Sequence, residues 1–238
     1  MSNTEFPIQQ VLELACAAQR INGDYLKEDS TPVCAPDDGT GGEFKIMYFK
    51  IGNKALMRYT LDPEQQVLIG MESYMTKLQV LPEDVDTAEQ IKKHFRKFMF
   101  GAIEGDNDFQ ININSILNSD KVKMNQFGYV ACLPSVYTRD RIQTTVKKAA
   151  QQVDESFLAE IGSNLSDLDC EILEVIKSKN FEGWNICAII NNKMASWISK
   201  SNLKLGACVI VKARVKDHTK HWKHANAVTR LNYVKAVQ

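Results

Sequence analysis

The chain has 238 residues, of which 44% are hydrophobic and 24% charged, and its 29 basic and 29 acidic side chains cancel. This composition is ordinary for a globular protein with a sizeable core, and the length suggests one or two domains. No apolar run approaches the length of a membrane span, and the first residues lack the basic and apolar regions of a signal peptide. Membrane-spanning and secreted proteins are therefore not expected.

Positive charge is concentrated in the carboxyl-terminal part of the chain. From residue 183 onward the sequence contains ten Lys and Arg residues and a single acidic residue, Asp217. The two parts of the chain therefore carry net charges of about +9 and −9. Such a separation indicates a polyanionic partner for the basic part. The alternative is that the two oppositely charged parts attract each other within the molecule.

The cysteines predict a reduced, cytoplasmic protein. They lie far apart without a CxxC spacing, and four of them fall inside apolar runs, so buried thiols are expected. Neither a disulfide framework nor a zinc site is expected. The six residues are Cys16, Cys34, Cys132, Cys170, Cys187 and Cys208.

In chain order, the first predicted elements are a helix and a hairpin. Residues 6–21 show apolar side chains at helical spacing, so they predict a helix. Residues 43–51 and 54–60 predict two strands, because the dipeptide Gly52-Asn53 between them suits a tight turn.

The middle of the chain predicts a second helix and a strand. Residues 88–103 have an apolar face and a basic face, and Asp86 or Thr87 can serve as the N-cap. The basic face is expected to be solvated. Residues 109–113 alternate between apolar and polar side chains, which predicts a strand.

A strand at residues 126–133 and a helix at residues 138–157 complete the part before the basic end. We therefore predict an α+β class for the whole chain. Residues 1–160 are predicted to form a mixed α+β domain, and residues 161–238 a separate domain built from strands.

The last seventy residues contain five short runs that predict strands. Turn residues bound each run, which is typical of hairpins. Five short strands in a segment of this size predict a five-stranded OB-fold barrel, a fold that binds oligonucleotides. The predicted strands are residues 170–178, 184–190, 193–199, 206–216 and 227–237.

The fourth of these runs, GACVIVKARVK, carries a row of cations. Side chains alternate between the two faces of a strand. One face is therefore predicted to be apolar from Ala207 to Val215, and the other to end in Lys212, Arg214 and Lys216. Each phosphate neutralised by such a row releases counterions, which gives salt-sensitive affinity for any sequence.

The connection between the fourth and fifth runs contains an HxxHxxH pattern at His218, His221 and His224. Three-residue spacing on an extended loop does not bring ligands together, so no metal site is predicted. In an OB-fold this connection often contacts nucleic acid. We expect rings such as Trp222 to stack on bases and Lys223 to contact phosphates.

Three other aromatic residues are candidates for stacking. Trp184 shares its face with Ile186, which predicts a position in the core. Trp197 shares its face with small residues, so it is predicted to be the more exposed stacking platform. Tyr233 shares a face with Leu231 and is expected in the core.

Several pieces of the carboxyl-terminal part resemble a known family. They are FEGWNICAI, KMASWISKSNLKLGACVIVKARVKDH and AVTRLNYVKAV, preceded by FGYVACLPSVYTRDRIQTTVKKAA. Together they resemble bacteriophage OB-fold proteins that bind single-stranded DNA during replication. The resemblance implies surface contacts at Trp197, Lys212, Arg214, Lys216 and His218. The loop HTKHWKHAN departs from the family, where a shorter turn is expected.

The sequence thus predicts a protein that binds single-stranded DNA, or RNA, in phage-type replication or recombination, in the host cytoplasm if the source is viral. The motifs GxSxG, P-loop and HExxH are absent, so neither an enzyme nor a cofactor is expected. The predicted contact residues are Trp197, Lys200, Lys212, Arg214, Lys216, His218, Lys220, His221, Trp222, Lys223 and Arg230.

Two other functions remain open from the sequence. The barrel could be the docking module of an accessory subunit in a replication or transcription complex. A nuclease could instead use dispersed acids, of which Asp37, Asp38, Asp106 and Asp108 are the candidates. The sequence leaves open whether the protein forms an oligomer.

Overall fold

The structure is a computed structural model that describes residues 4–28, 30–34, 46–62, 77–96, 108–178, 182–221 and 226–238. These residues form five α-helices and ten strands. The chain divides into two compact units, Met1–Thr138 and Arg139–Gln238. No helix in the described ranges has the length and apolar character needed to cross a bilayer.

The first unit is mixed α+β, as predicted. Its helices surround a core centred on α1, in which Val11, Leu12 and Ala15 are fully buried. Strands β1 and β4 pair antiparallel, and so do β2 and β3. The elements are β1 (Glu5–Pro7), α1 (Ile8–Asn22), β2 (Ser30–Cys34), β3 (Ile46–Ile51), α2 (Asn53–Leu61), α3 (Pro82–Arg96), α4 (Asp108–Asn118), β4 (Lys121–Lys123) and the start of α5 (Phe127–Ala150).

The helix predicted at residues 6–21 is confirmed by α1. The helix ends where Gly23 takes a left-handed φ of 78° and donates its backbone N–H to the Gln19 carbonyl. Glycine is favoured at such a position because it has no side chain to clash.

The hairpin predicted around Gly52-Asn53 is wrong. Strand β3 pairs with β2 instead, and α2 begins at Asn53. The Asn53 side chain is fully buried, and its Oδ1 accepts hydrogen bonds from the Leu26 backbone N–H and from Asn22 Nδ2. A Cβ atom at position 52 would overlap the Glu28 carbonyl, so the glycine is needed for close packing rather than for a turn.

Two further predicted strands are helices. Residues 109–113 belong to α4, whose buried side chains Ile113, Ile116 and Leu117 follow helical spacing. Residues 126–133 fall almost entirely in α5, which continues through Pro134 instead of ending there. Short apolar runs fit both periods, and packing in the core decided between them.

The described part of α3 begins earlier than predicted and ends at Arg96. Pro82 takes the first helical position, where its missing N–H costs nothing. Asp86 and Thr87 therefore lie inside the helix and are not its N-cap. The remainder of the predicted helix, residues 97–103, lies outside the described residues.

The second unit contains a closed five-stranded barrel, which confirms the predicted OB-fold-like architecture. Strand β6 pairs with β7 and β9, β7 with β8, and β9 with β10, all antiparallel. A parallel pairing of β8 with β10 closes the barrel. The strands are β5 (Asn164–Leu165), β6 (Leu168–Lys177), β7 (Trp184–Ile190), β8 (Lys193–Ser199), β9 (Gly206–Lys220) and β10 (Ala227–Val237).

Two apolar clusters hold this unit together. One fills the barrel and includes Ile172, Ile186 and Ile210. The other lies against the outer side of the strands, where Val146 and Ala150 of α5 join a group that also contains Val153, Leu173, Cys187, Met194 and Val228. The sequence places the domain boundary after residue 160, whereas the division lies after residue 138, because the end of α5 packs on the barrel.

Candidate nucleic-acid interface

The cations of β9 lie at the surface, but the strand does not keep one apolar face along its length. Cys208 and Ile210 are buried in its first half, and Ala213 and Val215 in its second half. The change occurs at Val211, because Ile210 pairs with Ala236 and Lys212 with Lys235, so that Val211 has no partner across the strands. One unpaired residue reverses the side chains that follow.

As a result, the predicted apolar face of β9 is confirmed in the second half of the strand and is wrong in the first half. Ala207 and Val209 are exposed on the outside of the first half, and Lys212, Arg214 and Lys216 on the outside of the second half. Within the described residues, no salt bridge engages any of these three cations.

Arg214 and His218 hold the segment that precedes the barrel. Arg214 Nε donates to the Gly162 carbonyl at 3.2 Å. The His218 ring stacks on Phe157 with ring centroids 3.8 Å apart and planes 5° apart, and its Nε2 lies 2.8 Å from the Ala159 carbonyl. These two residues have a structural task that the sequence did not reveal, whereas Lys212 and Lys216 carry no such contact among the described residues.

The prediction that Trp197 is an exposed platform is wrong. Its exposed fraction is 5%, and it lies in the barrel core opposite Ile186. The small residues on its face make room for the indole inside the barrel, since Ala195 and its partner Ala188 are also fully buried. Trp184 is half-buried and packs against the same core.

A groove of about 370 Å³ is lined by residues of all five barrel strands, among them three from β7 and one, Ser196, from β8. Three of the predicted contact residues, Lys220, His221 and Arg230, line it where β9 ends and β10 begins. Its other lining side chains include Glu174, Ile176, Asn185, Cys187, Ser196, Thr219 and Val228.

One of the cations that line the groove is paired with an acidic side chain. Arg230 Nη1 lies 3.3 Å from Asp217 Oδ2, so this cation is held in position by an acid. The other carboxylate oxygen, Asp217 Oδ1, is buried and accepts no hydrogen bond from the described residues. Lys220 is exposed at the rim.

Cys187 lies on the groove but is not prepared to act as a nucleophile. Burial, and then the nearby Glu174 carboxylate, raises the pKa of the Cys187 thiol to about 12. The thiolate is the reactive form of cysteine, so a neutral thiol at this position is inert.

Comparisons with protein-family models, with curated proteins and with solved structures found no match to this chain. The function is therefore inferred from the geometry of the site.

The remaining predicted contact residues are divided between the surface and the undescribed part. Lys200 is exposed immediately after β8. Trp222, Lys223 and His224 lie outside the described residues. Within the described ranges, no group of three or more His, Cys, Asp or Glu residues is arranged to hold a metal ion.

Most of the acids that a nuclease would use lie outside the described residues. Asp37, Asp38 and Asp106 lie outside the described residues, and Asp108 is described only as the first residue of α4.

Most residues that line the groove were not among those predicted from the sequence. Asn185 and Ser196 are polar residues opposite an apolar face on each strand, and this alternation was a visible signal for an outer surface. Glu174 and Ile176 had no comparable signal, because β6 has a register shift between Ile172 and Glu174.

Proposed function

We propose that the barrel binds single-stranded nucleic acid in this groove without catalysing a reaction, as a protein of phage-type DNA replication or recombination. The observation that supports the proposal is the position of the groove. It lies on the second barrel strand, β7, and reaches Ser196 of the third, β8, and Lys220, His221 and Arg230 also line it.

This position is the one that OB-folds use. They bind oligonucleotides across strands two and three, between the connections that join strands one to two and four to five. Here Ile176 lies near the end of the first barrel strand, and His221 begins the connection between the fourth and fifth. The groove thus has the expected boundaries on both sides.

The side chains present can bind a strand of any sequence. Lys220 and Arg230 would contact phosphates, which gives affinity without selecting a base. Ile176, whose exposed fraction is 46%, and the His221 ring would contact the faces of bases. Asn185 and Ser196 offer hydrogen bonds on the floor of the groove.

The test is a comparison of two charge reversals on the barrel. Lys220→Glu alters the groove, and Lys204→Glu makes the same change at an exposed lysine that does not line it. Fluorescence anisotropy with labelled oligo-dT, oligo-rU and a duplex is the measurement. We expect Lys220→Glu to weaken binding to oligo-dT by about ten-fold, since it replaces an attraction to phosphate by a repulsion.

We expect Lys204→Glu to change the affinity by less than about two-fold, as is usual for a screened charge outside the contact. Equal affinities for the wild type and Lys220→Glu would show that the groove is not the binding site. Preference for the duplex would contradict a site for single strands.

A further inference from the structure

Tyr233 has an unusual conformation and environment for a residue in the middle of a strand. Its φ is 52°, which lies in the left-handed region, and its exposed fraction is 75%. A bulky residue is a rare outlier there, and such outliers are concentrated at functional sites. Burial of the ring does not compensate for this conformation, because most of the side chain is in solvent.

A bulge in β10 produces this conformation. Asn232 pairs with Arg214 and Lys235 pairs with Lys212, so two residues of β10 lie opposite one residue of β9. Val234, the second of these two residues, is partly buried against the barrel core. Bulges redirect side chains, and this one leaves the Tyr233 ring on the outside. The sequence-based expectation that Tyr233 is a core residue is therefore wrong.

Cations flank the ring on both strands. Lys212 and Lys235 are cross-strand partners on one side of the bulge, and Arg214 is the partner of Asn232 on the other side. All three cations are exposed, and within the described residues no salt bridge engages them. An exposed planar ring among exposed cations is complementary to a ligand that combines flat groups with negative charge.

We propose that Tyr233, with Lys212 and Lys235, is a second contact for the nucleic-acid strand that occupies the groove. The ring stacks on a base, and the two lysines neutralise neighbouring phosphates. This inference rests on the function proposed above and adds a binding site on a different part of the barrel.

The second contact lies farther along the β9–β10 ribbon than the groove, whose last residue on β10, Arg230, is three residues before Tyr233. Lys220 pairs with Ala227, and Lys212 pairs with Lys235. Eight residues of strand separate these two pairs, which corresponds to about 25 Å. The binding site of one OB-fold covers about 4 to about 16 nucleotides of single-stranded nucleic acid. Six nucleotides lie near the lower limit of this range, so we expect dT6 to bind mainly in the groove, whereas twenty nucleotides are enough to reach both contacts.

The experiment uses three substitutions of Tyr233 in the full chain. Tyr233→Phe keeps the flat ring, Tyr233→Leu keeps an apolar side chain without it, and Tyr233→Gly removes the side chain and suits the positive φ. Glycine therefore separates loss of the ring from damage to the fold. The measurement is anisotropy with labelled dT6 and dT20, accompanied by urea unfolding of each variant.

We expect Tyr233→Leu and Tyr233→Gly to weaken binding to dT20 by about ten-fold and to leave dT6 unchanged. Tyr233→Phe should bind both oligonucleotides like the wild type. In a parallel experiment, dT20 that carries 5-iodouracil should crosslink to the peptide that contains Tyr233.

Three results would overturn the inference while the groove stands. The first is that Tyr233→Gly binds dT20 with the affinity of the wild type. The second is that this substitution weakens binding to dT6 and to dT20 equally. The third is that it changes only the self-association of the protein, as measured by sedimentation. Failure of the wild type to bind any oligonucleotide would instead remove the proposed function, and this inference with it.

Discussion

The two units of the molecule use charged side chains in opposite ways. In the first unit, Arg20 Nη2 lies 2.8 Å from Asp84 Oδ2, and Asp84 is only 3% exposed. In the barrel, Lys212 and Lys235 face solvent, with no salt bridge to any described residue. Removing one partner of a buried charge pair destabilises the fold, whereas an exposed charge without an acidic partner is free to bind a ligand. We therefore expect the same kinds of residue to serve stability in one unit and binding in the other.

The largest expected effect comes from removing the buried acid of the first unit. Asp84 accepts hydrogen bonds from Arg20 and from the Leu81 backbone N–H. Asp84→Ala leaves both donors without this partner, so we expect the free energy of unfolding to fall by about 3 kcal/mol. Urea unfolding measures this loss, and the affinity of the folded protein for oligo-dT should not change.

Glu83 supplies the matched control. Its Oε1 lies 3.5 Å from Arg20 Nε, but its side chain is 66% exposed. Screening by solvent makes such a pair weak, so Glu83→Ala should cost less than about 1 kcal/mol. If both substitutions cost the same, burial is not what distinguishes the two acids.

A smaller effect is expected from pH, because both units contain buried thiols, of which Cys16 and Cys187 are the ones compared. Burial, and then the carboxylates of Asp84 and Glu13, raises the pKa of Cys16 to about 12 from its ordinary value of 9.0, and Cys187 has a similar value. Above pH 9 the unfolded chain loses these protons while the folded protein retains them. Stability should therefore fall as the pH rises from about 9 toward 12.

Urea unfolding at pH 8 and pH 10 measures this dependence. The expected loss is about 1.4 kcal/mol for each thiol between these values. Cys16→Ala and Cys187→Ala should each reduce the loss by the contribution of one thiol. A dependence on pH that is identical in the wild type and both variants would show that these thiols are not its source.

The barrel could be predicted from the sequence because its signals are local. Turn residues bound every strand, and β7, β8 and β10 have the predicted limits. The first unit had fewer such signals. Residues 109–113 satisfy the strand period and the helical period alike, and only contacts with distant parts of the chain, such as those of Ile113 in the core, select the helix.

The positions of the aromatic side chains could not be predicted by counting alternate residues. The count assumes that strands are regular, but Val211 has no cross-strand partner and β10 bulges at Tyr233. Each irregularity changes which side chains face the core. The bulge explains Tyr233, which was expected inside and lies outside. Trp197 was expected outside and lies inside although β8 pairs regularly with β7, because the small residues on its face leave room for the indole in the core. The groove was also unpredictable, because the ends of β9 and β10 meet β7 and β8 only when the barrel closes.

The salt dependence of binding to dT20 tests the central claim most directly. If about four lysines, such as Lys212, Lys216, Lys220 and Lys235, neutralise phosphates, the logarithm of the affinity should fall with a slope of about −3 against the logarithm of salt concentration. Raising the salt from 50 to 200 mM would then weaken binding by about fifty-fold. Affinity that does not change with salt, or no saturable binding at 50 mM, would contradict a cationic barrel surface that holds a single strand.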